Sequence, residues 1–265
     1  MNSSDFRAKA REILNGKWGK AALITLSFFV ISLVTSYIIG RTKESIFAFL
    51  SIIYYIISIP LSFGLFKSFV NLYKGNNVQP FDFITLGFSN FTKSWGLAIR
   101  MILKLILPII LYFISFIMIG AGSIVTFFAL FDSSLSKGII PVELYPIIAI
   151  LGFILFFVSI IWLFLKALYY QLSFIIAADD ETISSKDAVE KSRELMTGNR
   201  FKLFCLQLSF IGWAFLAGLT FGIGLLWVLP YMQVSIIAFY FHLKGNNLNN
   251  TNTEVINETT NTENQ

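Results

Sequence analysis

Charge is what this chain has least of. Only 13% of its 265 residues are Asp, Glu, Lys or Arg, against roughly 25% in an ordinary soluble domain. It has one histidine, His242, and one cysteine, Cys205. A lone thiol excludes an intramolecular disulfide and says nothing about redox compartment. No Asp or Glu falls in the middle of any long apolar stretch. A Ser-His-Asp arrangement, a paired-carboxylate acid/base site and a zinc site all need residues that are missing there. The chain is therefore expected to be non-enzymatic, without cofactor or metal.

Apolar residues fill the space that charge leaves. They make up 56% of the chain, 29 of them Phe, and mean hydropathy is +0.73. No water-facing surface accommodates that surplus, so the class is a polytopic membrane protein. The first apolar run, Ala21 to Ile39, follows a 20-residue polar region. It is too long for a signal-peptide core and no A-x-A site follows, so it reads as a retained helix.

A helix needs about 20 apolar residues to cross roughly 30 Å of hydrocarbon. The all-α fold expected has six transmembrane helices, near 20–40, 46–72, 97–131, 146–177, 202–218 and 222–243. Gly120-Ala121-Gly122 is the expected break in the third. "AGLTFGIG" makes a tight extracytoplasmic turn between the last two, and its G-x-G lacks any dinucleotide-binding context. With these spans, 17 Lys and Arg fall on one side and only Arg41, Lys43 and Lys137 on the other. That bias places both termini in the cytoplasm of a bacterial cell membrane. The net charge of +5 suits an anionic inner leaflet, and nucleic acid need not be invoked.

Each cytoplasmic region reads as a short helix before a basic-aromatic membrane approach. In "FRAKAREILNGKW", Phe6, Ala10, Ile13 and Leu14 share one helical face, and Gly16 ends it. In "SSKDAVEKSRELMTGNRF", Ser184 and Asp187 have capping-box spacing. Ala188, Ser192, Leu195 and Met196 repeat the same offsets there, and Gly198 ends the helix. The middle copy, "PFDFITLGFSNFTKSW", offers Phe81, Ile84, Phe88 and Phe91 as its apolar side. Two surfaces fit such amphipathic helices, the membrane headgroups or the protein's own cytoplasmic end. Lys74-Gly75-Asn76-Asn77 recurs at Lys244-Gly245-Asn246-Asn247, each copy the same distance after a proline, Pro60 or Pro230. These matches imply three repeated hairpins, 4–77, 78–181 and 182–247, in one membrane domain, 1–247. The second unit ends instead at "ADDETISS". The Asn/Thr-rich tail, 248–265, has little to bury and is expected to be disordered.

Three polar features stand out. Asp179-Asp180-Glu181 invites a cation site, although a solvated loop capping the next helix explains it more simply. Gln171/Ser173, Gln207/Ser209 and Gln233/Ser235 place Q-x-S in the last three spans. Residues two apart on a helix point about 200° apart, so inter-helix bonding suits them better than one polar pocket. Arg100 and Lys104 lie four apart on span three, and Lys166 lies well inside span four. With Lys67 they form a candidate basic pocket for an anionic lipid headgroup or another anion. If span three starts near Leu105 and span four ends near Leu165, the same residues mark the interface instead.

From "LNGKWGKAAL" to "SRELMTGNRFKLFCLQLSFIGWAFLAGLTFGIGLLWVLPYMQVSIIAFY", the chain resembles the uncharacterised bacterial membrane proteins grouped as domain of unknown function 975. The resemblance covers about residues 1–243. Phe201 stands where that family's pattern has Trp, and the tail lies outside it. A more distant similarity is to the membrane domain attached to some glycerophosphodiesterases. The resemblance implies a multi-pass bacterial membrane protein with no assigned activity, and it supplies no catalytic residues. Two roles are consistent with it. One is a non-enzymatic protein that organises, anchors or regulates lipids or envelope partners, a homo-oligomer included. The other is a small transporter or lipid-handling permease.

Overall fold

The computed structural model describes residues 2–129, 141 and 144–263. Lys137, one of the three cations on the far side, lies outside them. Among the described residues every regular element is a helix: α1 (Ser3–Leu14), α2 (Trp18–Gly40), α3 (Glu44–Tyr73), α4 (Asp82–Ser89), α5 (Phe91–Ala129), α6 (Leu144–Tyr170), α7 (Ser173–Asp179), α8 (Ser185–Met196), α9 (Arg200–Leu208), α10 (Ile211–Leu219) and α11 (Leu225–Glu263). Among the described residues, six stretches are long and apolar enough to cross a membrane: Trp18–Gly40, Ile46–Tyr73, Phe91–Val125, Leu144–Asp179, Arg200–Leu219 and Leu225–Asn247. These match the six predicted runs to within a few residues at most ends. The chain forms two compact units, Met1–Ala98 with Tyr170–Gln265, and Ile99–Tyr169.

The unit Ile99–Tyr169 is an antiparallel pair built from α5 and α6. The expected break at Gly120-Ala121-Gly122 is absent, and α5 runs on to Ala129. Freed backbone groups in hydrocarbon are too costly, and Gly122 serves closeness instead. A Cβ there would stand 2.8 Å from Tyr145 O and Ala149 N. Gly152 on α6 faces Ile119 in the same way. Breaks occur elsewhere, between α6 and α7 at Gln171-Leu172 and between α9 and α10 at Ser209-Phe210.

In the larger unit, α1 and α8 are each 12 residues long. Gly16 (φ 73°) and Gly198 (φ 80°) follow them, left-handed positions that glycine adopts without a Cβ penalty. Most of the apolar face of α1 packs on the protein. Phe6, Ala10 and Leu14 are buried, with Phe6 edge-on to Phe239 of α11 at 5.2 Å. Helix α8 is capped as expected, Ser184 Oγ accepting from the Asp187 N–H at 3.1 Å. Its Ala188, Ser192, Leu195 and Met196 are buried, and it packs on α7.

The middle short helix, α4, turns a different face inward than its Phe pattern predicts. Phe83 and Gly87 are buried, while Phe81, Phe88 and Phe91 are exposed. Glycine decides the register. A Cβ on Gly64 of α3 would lie 1.9 Å from Phe83 O, and one on Gly87 would lie 2.4 Å from Pro60 O. The two backbones touch there, so Phe83 and Gly87 must face α3.

Pro60 sits inside α3. Proline has no N–H, so the carbonyl four residues back, Ile56 O, loses its helical partner. Trp95 Nε1–H donates to that carbonyl at 3.1 Å. Trp95→Phe keeps a ring but removes the donor. It should cost about 1–3 kcal/mol of stability, read as a lower unfolding temperature in detergent, and an unchanged transition would show that Ile56 O needs no partner.

The two K-G-N-N copies diverge in backbone. Gly75 takes φ 86° as α3 ends, whereas α11 continues through Gly245 to Glu263. Extending a formed helix requires no new nucleus, so the 248–263 backbone is helical where a structureless tail was expected.

Candidate functional site

Two helix ends and the middle of α11 meet in the larger unit, and the groups they bring together are charged. Helix α3 delivers Lys74 just past its last residue, α7 ends on Asp179, and α11 carries Tyr240 and Lys244 one turn apart. A carboxylate at a helix C-terminus faces the negative end of the macrodipole, so Asp179 needs cations. It has two. Lys74 Nζ reaches Asp179 Oδ1 at 2.7 Å, and Lys244 Nζ reaches Oδ2 at 2.5 Å. Tyr240 Oη–H donates to the same Oδ2 at 2.8 Å. Lys74 also donates to the Asp179 carbonyl at 3.0 Å, covering one of the helix's open acceptors. The Asp179 side chain is only 3% exposed, while each lysine keeps about a third of its surface open. Tyr73 stacks on Phe241 at 4.7 Å beside the cluster. Both lysines are the first residue of a K-G-N-N copy.

The next two acidic residues behave differently. Glu181 pairs with the buried Lys67 at 2.8 Å while itself 73% exposed. The Lys67 hydrogen bond holds its carboxyl below the usual range. Asp180 folds back, Oδ1 accepting from the Thr182 hydroxyl and N–H, which lowers its pKa in turn. Lys93 Nζ donates to the carbonyls of Asp180 (2.9 Å) and Glu181 (3.0 Å). The solvated, helix-capping reading of Asp179-Asp180-Glu181 is therefore corrected at Asp179 and in its capping role, while Asp180 and Glu181 do lie in a loop with Glu181 exposed. Asp179 is buried and ion-paired, and Ser184 does the capping. The carboxylates at either end of this triplet are directed at lysines, and no group of three or more His, Cys, Asp and Glu residues among the described residues could hold a metal.

The predicted basic residues divide between the units. Lys67 is committed to Glu181 and is not a free cation. In the unit Ile99–Tyr169, Arg100 and Lys104 are exposed along α5, and Lys166 is half-buried, its ammonium 5.9 Å from the Trp162 ring. The hairpin register gives their relative height. Gly122 faces Ala149, Gly152 faces Ile119, and Tyr112 lies 5.4 Å from Phe156. Continued along two antiparallel helices, that pairing sets Lys166 level with Lys104. Arg100 stands one turn, about 6 Å, further toward the α5 N-terminus.

Ser209 and Ser235 donate to carbonyls of their own helices, Leu206 O and Tyr231 O. Ser173 Oγ and Gln233 Oε1 are buried without a partner. Gln171/Ser173 and Gln207/Ser209 flank the two helix breaks, and at the second the Ser209 hydroxyl bonds its own backbone, which competes with helix continuation. His242 lies 5.5 Å from the Phe6 ring and 3.3 Å from Asn246 Nδ2, and Cys205 is a free thiol.

An apolar cleft of about 270 Å³ opens between α2 and α3, with Phe28, Ile31, Leu50 and Ile57 in its wall. Its hydroxyls Ser32, Thr35 and Ser58 all donate to their own helices.

The family model described as "Protein of unknown function (DUF975)" matches residues 1–247. No curated protein and no solved structure matches. The wider similarity to the glycerophosphodiesterase-associated membrane domain finds no support in these comparisons.

Proposed function

Because the chain belongs to the DUF975 family, whose description assigns no activity, we propose its role from its own residues. It is a non-enzymatic integral membrane protein of the bacterial cytoplasmic membrane that organises, anchors or regulates anionic lipids or envelope partners. Both termini are cytoplasmic, as the Lys and Arg bias supports.

The observation that carries the lipid reading is the cationic rim of the α5–α6 pair. Lys104 and Lys166 stand level, each at the edge of a long uncharged run, Leu105–Ala129 and Leu144–Leu165 among the described residues. These runs are about 37 and 33 Å of helix, close to a hydrocarbon core of roughly 30 Å. The cations therefore fall at headgroup height, where phosphate is the available anion. No protein carboxylate contacts them among the described residues.

Lys166→Glu removes one positive charge and adds a negative one. At about 1 kcal/mol per charge near the surface, that is roughly thirtyfold weaker binding of anionic lipid in nanodiscs. Unchanged binding would remove this site.

The reading of three repeated units draws support from matched positions. Asp5, Asp82 and Asp187 each accept from the residue three before them, Asn2, Gln79 and Ser184. The residues next in sequence, Phe6, Phe83 and Ala188, are all buried, as are Ala10, Gly87 and Ser192 one turn on. A second reading, a small transporter or lipid-handling permease, is favoured by Pro60 and Pro230 interrupting corresponding spans, a pattern found around transporter sites. Substrate flux in proteoliposomes would establish it.

A further inference from the structure

We infer that the hairpin of α10 and the start of α11 enters the membrane only halfway and ends among acyl chains at mid-bilayer. The inference rests on the proposed reading that α2 and α3 cross completely.

Two rulers inside the larger unit give the same depth. The first uses α3 and α11, which run in the same direction. Lys74 and Lys244 grip one carboxylate, and Tyr73 stacks on Phe241, so the helices are level there. From that height α3 extends back 30 residues to Glu44, but α11 only 19 to Leu225. The difference is about 16 Å. The second ruler uses α2. Tyr231 Oη accepts from Arg11 at 2.8 Å, and the Tyr231 ring lies 5.9 Å from Trp18 and 5.0 Å from Phe210. From Trp18, α2 continues for 23 residues, about 34 Å. From Phe210, α10 continues for only nine, about 13 Å. Against either ruler the second turn falls about 16–21 Å short of the first, half or more of a roughly 30 Å core.

The chemistry of the two turns agrees with that depth. The α2–α3 turn carries Arg41 and Lys43, each of which would cost about 2.5–3.5 kcal/mol at mid-membrane. The α10–α11 turn, Thr220 to Gly224, has no charge. Hydrocarbon requires backbone groups to be satisfied internally, and every N–H of this turn except that of Phe221 is bonded. Thr220 and Gly222 N–H both donate to Ala217 O, Ile223 N–H to Thr220 O, Leu225 N–H to Gly222 O, and Gly224 N–H to Thr220 Oγ1. Gly224 packs against Ala217, where a Cβ would meet Ala217 Cα at 2.8 Å. At the apex Phe221 takes φ 53° and is 100% exposed, a ring presented to its surroundings with no protein around it.

The test uses full-length protein carrying Cys205→Ser, with either Phe221→Cys or Thr42→Cys added. Intact cells and inside-out vesicles are treated with a membrane-impermeant maleimide. Thr42→Cys should label from outside. Phe221→Cys should fall to background from both sides and label fully once solubilised in detergent, which also shows that the variant is folded in the membrane fraction and reactive. Outside labelling of both positions would mean a full crossing and overturn the inference. Labelling of Phe221→Cys from the inside would place the turn at the inner surface and overturn it equally. Loss of outside labelling at Thr42→Cys would instead sink the premise that the first hairpin crosses.

Discussion

Asp179→Asn should be among the most destabilising single changes in the larger unit. Removing one partner from a buried ion pair costs about 3–5 kcal/mol, because the cation left behind is desolvated and unpaired. Here two cations are left at once, Lys74 and Lys244. Both are a third exposed and can turn partly toward water, which puts the loss near the lower end, about 3 kcal/mol. It would be read as a lower unfolding temperature in detergent. The lysine changes should cost less, since Lys74→Gln or Lys244→Gln each leaves Asp179 with one ammonium and the Tyr240 hydroxyl. The decisive measurement is a double-mutant cycle. Asp179→Asn combined with Lys244→Gln should be clearly milder than the two single losses added together. Strict additivity would mean that the carboxylate and the lysine do not act on each other, and the cluster would then be a coincidence of helix ends.

Much of this cluster is legible in the sequence as charge without being legible as contact. Two identical basic endings and one acidic ending can be read directly from K-G-N-N, K-G-N-N and A-D-D-E. Opposite sign at equivalent positions is itself a signal that the ends meet. The pairing depends on which way the last turn of α7 faces, and a seven-residue helix with both Ile175 and Ile176 buried has no apolar periodicity from which to read that. Lys67 misleads for the same reason. Charge and proximity to a span group it with Arg100, Lys104 and Lys166, while its anion, Glu181, stands in a loop more than a hundred residues away. The six spans are readable because hydrocarbon imposes a length and forbids charge, a rule local to each segment. The depth of the last hairpin is not, because it depends on which residues of separate helices stand level. The two K-G-N-N copies show the limit most clearly. The same four residues end a helix in one place and continue it in another, so the downstream chain and the neighbours in space decide.

Gly64→Ala and Gly87→Ala should both dislodge α4 from α3, with losses at or beyond the top of the roughly 1–3 kcal/mol range for overpacking. The usual relief is a shift in a flexible side chain. None exists here, because the added Cβ would meet backbone: Phe83 O at 1.9 Å from Gly64, and Pro60 O at 2.4 Å from Gly87. The helices must separate, and that separation reaches further than the clash. Trp95 comes soon after α4, and its indole supplies the hydrogen bond that Pro60 denies to Ile56 O. Moving α4 therefore weakens the repair of the proline interruption. Gly87→Ala combined with Trp95→Phe should cost less than their sum, since each already forfeits part of the same contact. Gly212→Ala is the control. It lies within α10, and nothing stands within 4 Å of an added Cβ. There the change should be neutral, or stabilising by up to about 1 kcal/mol through helix propensity. Equal thermal losses at positions 64, 87 and 212 would mean that glycine matters here for backbone freedom, and the α3–α4 contact would lose its role in setting the register of the middle helix.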